Sequence, residues 1–551
     1  MSLLRLNSNE GPRAPHALLA ELAALDPELL RRYPDATAVE TALAARAGVS
    51  PDRVLVTAGA DEALDRIHRA YAGPGRPVLL PEPTFEWLER FAALAGAPLV
   101  RVRWLKDKFP VEEILARLDR RIAIVVIVSP NNPTGGVVSP DEVRRIAAAA
   151  PQSLVLIDQA YIEYADEGLD PAVLDFPNVV VVRTMSKAWG LAGCRVGYAI
   201  GSPDVIGGVR AAGAPYPVAG LSLALALAQL RRGDSALRPH VTQVRAERTS
   251  LRTLLCARGV DARASQANFV LADFGRGARA AFVRDGLGAL GILVRDFPGR
   301  AGLEASLRIT LPGDPADFER LTRALETVLA PEAIVFDLDG VLADVRDSQR
   351  AAMIATAATH GVTVTAPDVE RVLRAGDANN DWIVTQRLIG AGGVQVDLET
   401  VTARFQSLYL GTADAPGLRV RERTIVPRAV LERLSQRLPL AVVTGRPRDE
   451  ARWFLERERI ADLFRTVVCM EDAPRKPDPA PVRLALSRLG VRRAWMIGNT
   501  PDDIHAAAGA DVVPLGIVAP GDDLPATTAA LRAAGAASVL DAVADLEELL
   551  P

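Results

Sequence analysis

The chain has 551 residues, 49% hydrophobic and 24% charged, which suits three to four folded domains and excludes a disordered chain. Lys and Arg number 64 against 68 Asp and Glu, so a net charge of −4 gives no electrostatic reason to expect nucleic acid or an anionic membrane as partner. Three scattered cysteines with no CxxC argue against a disulfide framework or a thiolate zinc site and suit the reducing cytoplasm; no apolar run approaches the roughly 20 residues of a membrane span.

The N-terminal MSLLRLNSNEGP turns polar by Asn7, so neither a signal peptide nor an anchor is expected. Strand-like runs then alternate with amphipathic helical stretches: RVLVTAG before a helix from Asp61, PVLLPEP before another, then IAIVVIVSP, SLVLIDQAY, NVVVVRTMS and RVGYAIG. Continuous apolar strands bounded by Gly and Pro predict a mainly parallel sheet covered on both faces, an α/β protein. A second alternation starts at AIVFDLDGVLAD and runs through PLAVVTGR, FRTVVCMED and RAWMIGNT, which sets a boundary near Pro331. Between Val345 and about Arg423 the strand signal gives way to helical, polar sequence, expected to be an inserted helical cap. The Ala-rich C-terminal stretch reads as helical packing.

In TMSKAWGLAGCRVGY, Ser186, Lys187 and Arg195 stand among small residues that let backbone come close. A lysine so framed can form a Schiff base with a carbonyl cofactor while its neighbours hold a phosphate. Asp158, Tyr161 and the SPNNPTG run sit at the ends of other predicted strands, and at the carboxyl ends of parallel strands such groups converge.

These residues, with NSNEGP, RYPD, GADEALDRIHRAY, PEPTF, APYPV, ANFVL, ILVRDF and LRIT in order over roughly residues 5–328, resemble the aspartate-aminotransferase superfamily of pyridoxal-phosphate enzymes, and within it the histidinol-phosphate aminotransferases. The resemblance implies the pyridoxal-phosphate transferase fold over 1–330, with a large domain at about 35–235 and a small one from the N-terminal segment and about 236–330. Lys187 would bind the cofactor and move the substrate's Cα proton, and Asp158 would keep the pyridine nitrogen protonated. Asn132 and Tyr161 would hydrogen-bond the phenolic oxygen, and Phe85 would stack on the ring. Backbone donors at Ala60 and Asp61, with Ser186 and Arg195, would bind the cofactor phosphate. Tyr33 would reach the cofactor phosphate of a second subunit, implying a homodimer. Arg295 and Arg308 would grip an anionic substrate tail. Gln159 departs from the family's usual Glu.

In the second half, Asp337 and Asp339 stand two apart at a strand end, so both side chains are expected on the same side. With Thr444, Lys476, Asn499 and Asp503 downstream, this arrangement resembles the haloacid-dehalogenase superfamily of phosphatases, covering 331–551 with a C1-type helical cap at about 345–423. By that resemblance the fold is Rossmann-like, Asp337 is the nucleophile and Asp339 the acid/base. Thr444 and Lys476 would hold the phosphoryl oxygens. Mg2+ would sit on Asp337, the Asp339 carbonyl and position 499, with Asp503 in support. The family usually has Asp where this chain has Asn499, an amide that ligates without charge; Asp502 or Asp503 could compensate.

Together the resemblances imply a bifunctional enzyme of histidine biosynthesis that acts on small molecules: transamination of imidazole-acetol phosphate with glutamate, then Mg2+-dependent dephosphorylation through an aspartyl-phosphate. Two alternatives stand beside it. Asn499 allows an aminotransferase carrying a weak or non-catalytic phosphatase-like module, and both halves could act on another phosphorylated amine.

Overall fold

A computed structural model describes residues 3–104, 108–168, 171–412 and 415–550. The chain forms two compact units, one of Arg5–Gly277 with Val294–Arg320, the other made of the residues up to Leu4, Ala278–Leu293 and the chain from Leu321.

The first unit is built on a seven-stranded sheet in the order Val54–Ala58, Val196–Gly201, Val179–Thr184, Leu154–Asp158, Ile124–Val128, Val78–Glu82, Leu99–Arg103. Every pairing is parallel except the two made by Val196–Gly201. The central strands are buried along their whole length, which is why they read as unbroken apolar runs. The edge strand Leu99–Arg103 carries two arginines and escaped the sequence reading for that reason. The helix expected from Asp61 starts at Gly59 and runs to Tyr71. A three-stranded antiparallel sheet of Ser306–Thr310, Phe269–Asp273 and Asp261–Ala262 completes the unit.

The second unit holds a six-stranded, all-parallel sheet in the order Phe464–Val468, Leu440–Val443, Ala333–Phe336, Ala494–Gly498, Val513–Ile517, Ser538–Leu540. Its first strand in sequence lies inside the sheet, so the chain leaves to one side and later returns to the other; ligands bind at the carboxyl ends of strands flanking such a reversal. The C-terminal stretch is not wholly helical: the helix Leu524–Ala533 is followed by the edge strand Ser538–Leu540, too short to leave a period in the sequence. Packing in this unit extends across Pro331, because the Trp495 ring meets Phe282 edge-on at 5.1 Å and its Nε1 donates to Thr327 O at 2.9 Å. Four α-helices, Ala351–Thr359, Ala366–Ala375, Asp381–Ala391 and Leu398–Leu410, fill the inserted segment and enclose their own apolar cluster around Met353, Val384, Leu388 and Phe405. Among the described residues no helix is long and apolar enough to cross a membrane.

Candidate active sites

In the first unit, five strand ends converge. Asp158 closes its strand, Ser186 and Lys187 follow Thr184, Asn132 follows the Ile124–Val128 strand, Phe85 follows Glu82, and the helix at Gly59 follows Ala58. They surround a cavity of about 170 Å3 lined by Ala60, Asp61, Asp158, Tyr161, Lys187 and Arg195, with Phe85, Asn132 and Ser186 also on its wall. Burial pushes the Asp158 carboxyl up to about 7, against the pull of the Ala160 N–H, which donates to it at 3.0 Å. A carboxyl so placed gains from a cationic N–H partner, as a protonated pyridine provides.

At the other end of the cavity the first turn of Gly59–Tyr71 leaves backbone N–H groups without helical acceptors. Gly59 has φ +79°, and a Cβ there would lie 2.6 Å from Arg195 Nη2; one at Gly197 would lie 2.3 Å from Ala60 N. Glycine at both keeps the cradle open. Arg195 donates to Asp61 at 2.9 Å and to Ser186 Oγ at 3.5 Å, so hydroxyl, guanidinium and helix terminus face one spot, and this donor set fits a phosphate.

Lys187 Nζ donates to Ser8 O at 3.2 Å and stands 5.6 Å from the centre of the Tyr161 ring. The Tyr161 hydroxyl accepts from Asn9 Nδ2 at 2.9 Å; Asn9 is buried and also bonds Thr310, a positioning link that the sequence offered only as part of NSNEGP. Asn132 Oδ1 accepts from Arg308 at 2.6 Å, while Arg308 also donates to Asn7 O at 2.7 Å. Arg308 and Arg295 pair through backbone hydrogen bonds of 2.8 and 3.1 Å and face a cleft of about 560 Å3 that also reaches Lys187. Arg308 is buried with Nε unpartnered, whereas Arg295 is exposed and leans on Glu86 at 3.4 Å. Gln159 is held by Arg183 at 2.9 Å. Tyr33 is not brought to this cavity: it is 81% exposed and stacks on Tyr216 at 4.7 Å.

In the second unit, Asp337 and Asp339 line one cavity with Asn499. The strand ends at Phe336, so both aspartates lie in the loop beyond it, and the loop, rather than the two-residue strand period, brings them together. Lys476 Nζ lies 2.7 Å from Asp337 Oδ1, 2.5 Å from Asp503 Oδ1 and 3.2 Å from Val443 O. Burial pulls the lysine's pKa down, but the two carboxylates outweigh it and leave the ammonium secure; burial drives Asp337 up. The other Asp503 oxygen accepts from the backbone of Asn499 and Thr500 and from the Thr500 hydroxyl, so Asp503 positions the turn and the lysine and has no free oxygen for a cation. Asp502 is likewise engaged, taking the N–H groups of Asp377 and Ala378, so it does not compensate for Asn499.

Asn499 itself is 8% exposed, and its Oδ1 has no hydrogen-bond partner. An orphaned amide oxygen beside two aspartates is the acceptor that a hard cation would fill, so the oxygen donors present, Asp337 and Asn499 Oδ1 among them, fit Mg2+. Thr444 is buried at its strand end, its Oγ1 accepting the Arg446 N–H at 3.1 Å.

Arg446 was missed by the sequence reading. It is buried; Nε donates to Asp339 Oδ1 at 2.7 Å, as does Nη2, and Nη1 donates to Tyr409 at 3.0 Å and Glu422 at 2.9 Å. It thus fixes the second aspartate to the inserted segment. The signal available was an arginine two residues after Thr444; its partners are distant in sequence.

Residues 2–325 match the family described as aminotransferase class I and II, and residues 331–511 match haloacid dehalogenase-like hydrolase. The chain is similar to histidinol-phosphate aminotransferase of Paracoccus denitrificans, 33% identical over 341 residues, covering 60% of this chain and 91% of the relative. It is 44% identical over 197 residues to imidazoleglycerol-phosphate dehydratase of Phytophthora nicotianae, covering 34% of this chain and 44% of that protein. Among solved structures, histidinol-phosphate aminotransferase from Sinorhizobium meliloti in complex with pyridoxal-5'-phosphate superposes with a TM-score of 0.55 at 29% identity, covering 59% of this chain and 90% of that one. The chain belongs to the class I and II aminotransferases and continues into a haloacid dehalogenase-like hydrolase domain.

Proposed function

We propose that the chain carries out two consecutive steps of histidine biosynthesis: amino transfer from glutamate to imidazole-acetol phosphate, giving histidinol phosphate, then hydrolysis of that phosphate ester. The observation that carries this reading is the joint presence of a lysine site opening to the Arg308 cleft and of a two-aspartate site with the orphaned Asn499 oxygen. The names of the relatives support it, since histidinol phosphate and imidazoleglycerol phosphate are both imidazole-bearing phosphate esters.

Pyridoxal phosphate, the cofactor of class I and II aminotransferases, supplies an electron sink for bond changes at the substrate's Cα when bound. Lys187 would anchor it and move the Cα proton, and Asp158 would hold the proton on its ring nitrogen. Asn132 and Tyr161 would hydrogen-bond its phenolic oxygen, Phe85 would stack on its ring, and the backbone N–H groups of Ala60 and Asp61, with Ser186 and Arg195, would bind its phosphate. Arg308 and Arg295 hold the anionic end of the substrate. The 81% exposure of Tyr33 suits a contact with a second copy, so the working form is a homodimer. The three cysteines are free, which suits the cytoplasm.

At the second site Asp337 attacks phosphorus and forms an aspartyl-phosphate as the ester oxygen leaves with a proton from Asp339. Asp339 then takes a proton from the water that releases phosphate. Lys476 and Thr444 hold the phosphoryl oxygens, and a bound Mg2+ would supply further positive charge against them. A substrate panel tests the reading: 2-oxoglutarate formation should be fastest with imidazole-acetol phosphate among phosphorylated and aromatic 2-oxo compounds, and phosphate release fastest with histidinol phosphate. Faster turnover of another pair would reassign the substrates.

A further inference from the structure

The inserted helices contribute to the phosphatase cavity one acid with no partner. Asn380 caps the helix Asp381–Ala391, its Oδ1 accepting from the N–H groups of Trp382 and Ile383 at 3.0 Å each, and so fixes Asp381 and Trp382 in the first turn at the cavity wall. The other acids nearby are all satisfied: Asp337 and Asp503 by Lys476, Asp339 and Glu422 by Arg446, Glu450 by Gln406 and Asp502 by backbone N–H groups. Among the described residues the Asp381 carboxylate makes no hydrogen bond or ion pair. Gln349, on the same wall, is 3% exposed, and its side-chain amide is also without a partner. Asp381 is half-buried and Gln349 buried, and polar groups that face a cavity without a protein partner are open to a ligand that completes them.

Ionised, Asp381 would repel a phosphate dianion, so the partner that favours its charge is the other end of the ester. We infer that Asp381 is a specificity-determining residue that pairs with a cationic leaving group, so this site hydrolyses phosphate monoesters of amino alcohols in preference to those of neutral alcohols and ketones. Trp382 offers the same cation an aromatic face, and Gln349 offers its neighbouring polar atoms an amide. The local field bears on this: burial, then Asp339, Glu450 and Glu422, push the Asp381 carboxyl up to about 8 against the pull of Arg446, so the empty site favours the protonated acid and an arriving cation favours its ionised form.

The consequence joins the two sites. Amino transfer turns a neutral ketone phosphate into an ammonium phosphate, and a phosphatase that requires the ammonium leaves the ketone intact until it has been aminated. The naming of histidinol phosphate as the natural ester rests on the two-step reading; the preference for a cation does not.

The test is phosphate release by the full-length holoprotein with Mg2+ from two matched pairs: O-phosphoethanolamine against 2-hydroxyethyl phosphate, and histidinol phosphate against imidazole-acetol phosphate. The wild type is expected to favour the cationic member of each pair by roughly 100-fold or more in kcat/KM, as sites built around a specific polar group do. Asp381→Asn should bring that ratio towards unity, and Asp381→Glu should keep part of it. A wild-type ratio near unity, no release from any ester, or an equal loss on both members in Asp381→Asn would overturn the inference. If the variants fail to fold, the wild-type ratio decides alone. A cation preference in the first pair without turnover of histidinol phosphate would uphold it and sink the two-step reading, whereas turnover of histidinol phosphate and its ketone at equal rates would do the reverse.

Discussion

The Nζ of Lys476 lies 2.7 Å from Oδ1 of Asp337, with Asp503 on its other side, and all three side chains are buried. An ammonium between two buried carboxylates is both an anchor and a source of positive charge for a phosphoryl group. Lys476→Met leaves two uncompensated acids, and breaking such a cluster costs about 3–5 kcal/mol. Chemical denaturation should show this loss, together with loss of phosphate release; a variant destabilised by less than about 1 kcal/mol would mean that the acids are protonated and the cluster is not an ion pair.

Asn499 presents an uncharged oxygen where a carboxylate would bind a cation more tightly. Asn499→Asp should lower the Mg2+ concentration for half-maximal phosphate release by about 10-fold, because Mg2+ affinity follows ligand charge. Titrating Mg2+ against both proteins checks this. An unchanged midpoint would place the cation elsewhere.

Asp158 gives a pH prediction. Its pKa in the folded, cofactor-free protein is about 7 against an ordinary 3.8, so the folded state holds a proton that the unfolded chain has lost between these values. Stability therefore falls as pH rises through that window, and above pH 7 the full penalty, up to about 4 kcal/mol, is present. Asp158→Asn should stabilise the cofactor-free protein at pH 8, change it little at pH 4, and abolish transamination. Equal stability of the two proteins at pH 8 would contradict the account.

The two activities should separate by mutation. Lys187→Ala should reduce transamination by at least roughly 10²–10⁴-fold and spare phosphate release, while Asp337→Asn should do the opposite. Assaying both products for each variant checks the assignment; loss of both activities from one substitution would indicate that the sites depend on each other.

Much of this was legible in the sequence because the chemistry sits at strand ends. Lys187, Asp158 and Asn132 each follow an apolar strand that declares itself, and the structure brings them to one cavity. What was hidden depends on distant pairing. Arg446 reaches Tyr409 and Glu422 from 37 and 24 residues away, and no local pattern marks such a link. Asp381 lies in a stretch that reads only as helical and polar; the folded cavity is what shows that its carboxylate lacks a protein partner. The short edge strand Ser538–Leu540 is marked by parallel pairing with Val513–Ile517, which an Ala-rich sequence does not display.

The most direct measurement follows 2-oxoglutarate and phosphate together in one reaction that starts from imidazole-acetol phosphate, glutamate, pyridoxal phosphate and Mg2+. Two consecutive steps predict both products, with phosphate appearing after a lag and only when glutamate is present. Phosphate released without glutamate, or 2-oxoglutarate accumulating with no phosphate, would contradict the account.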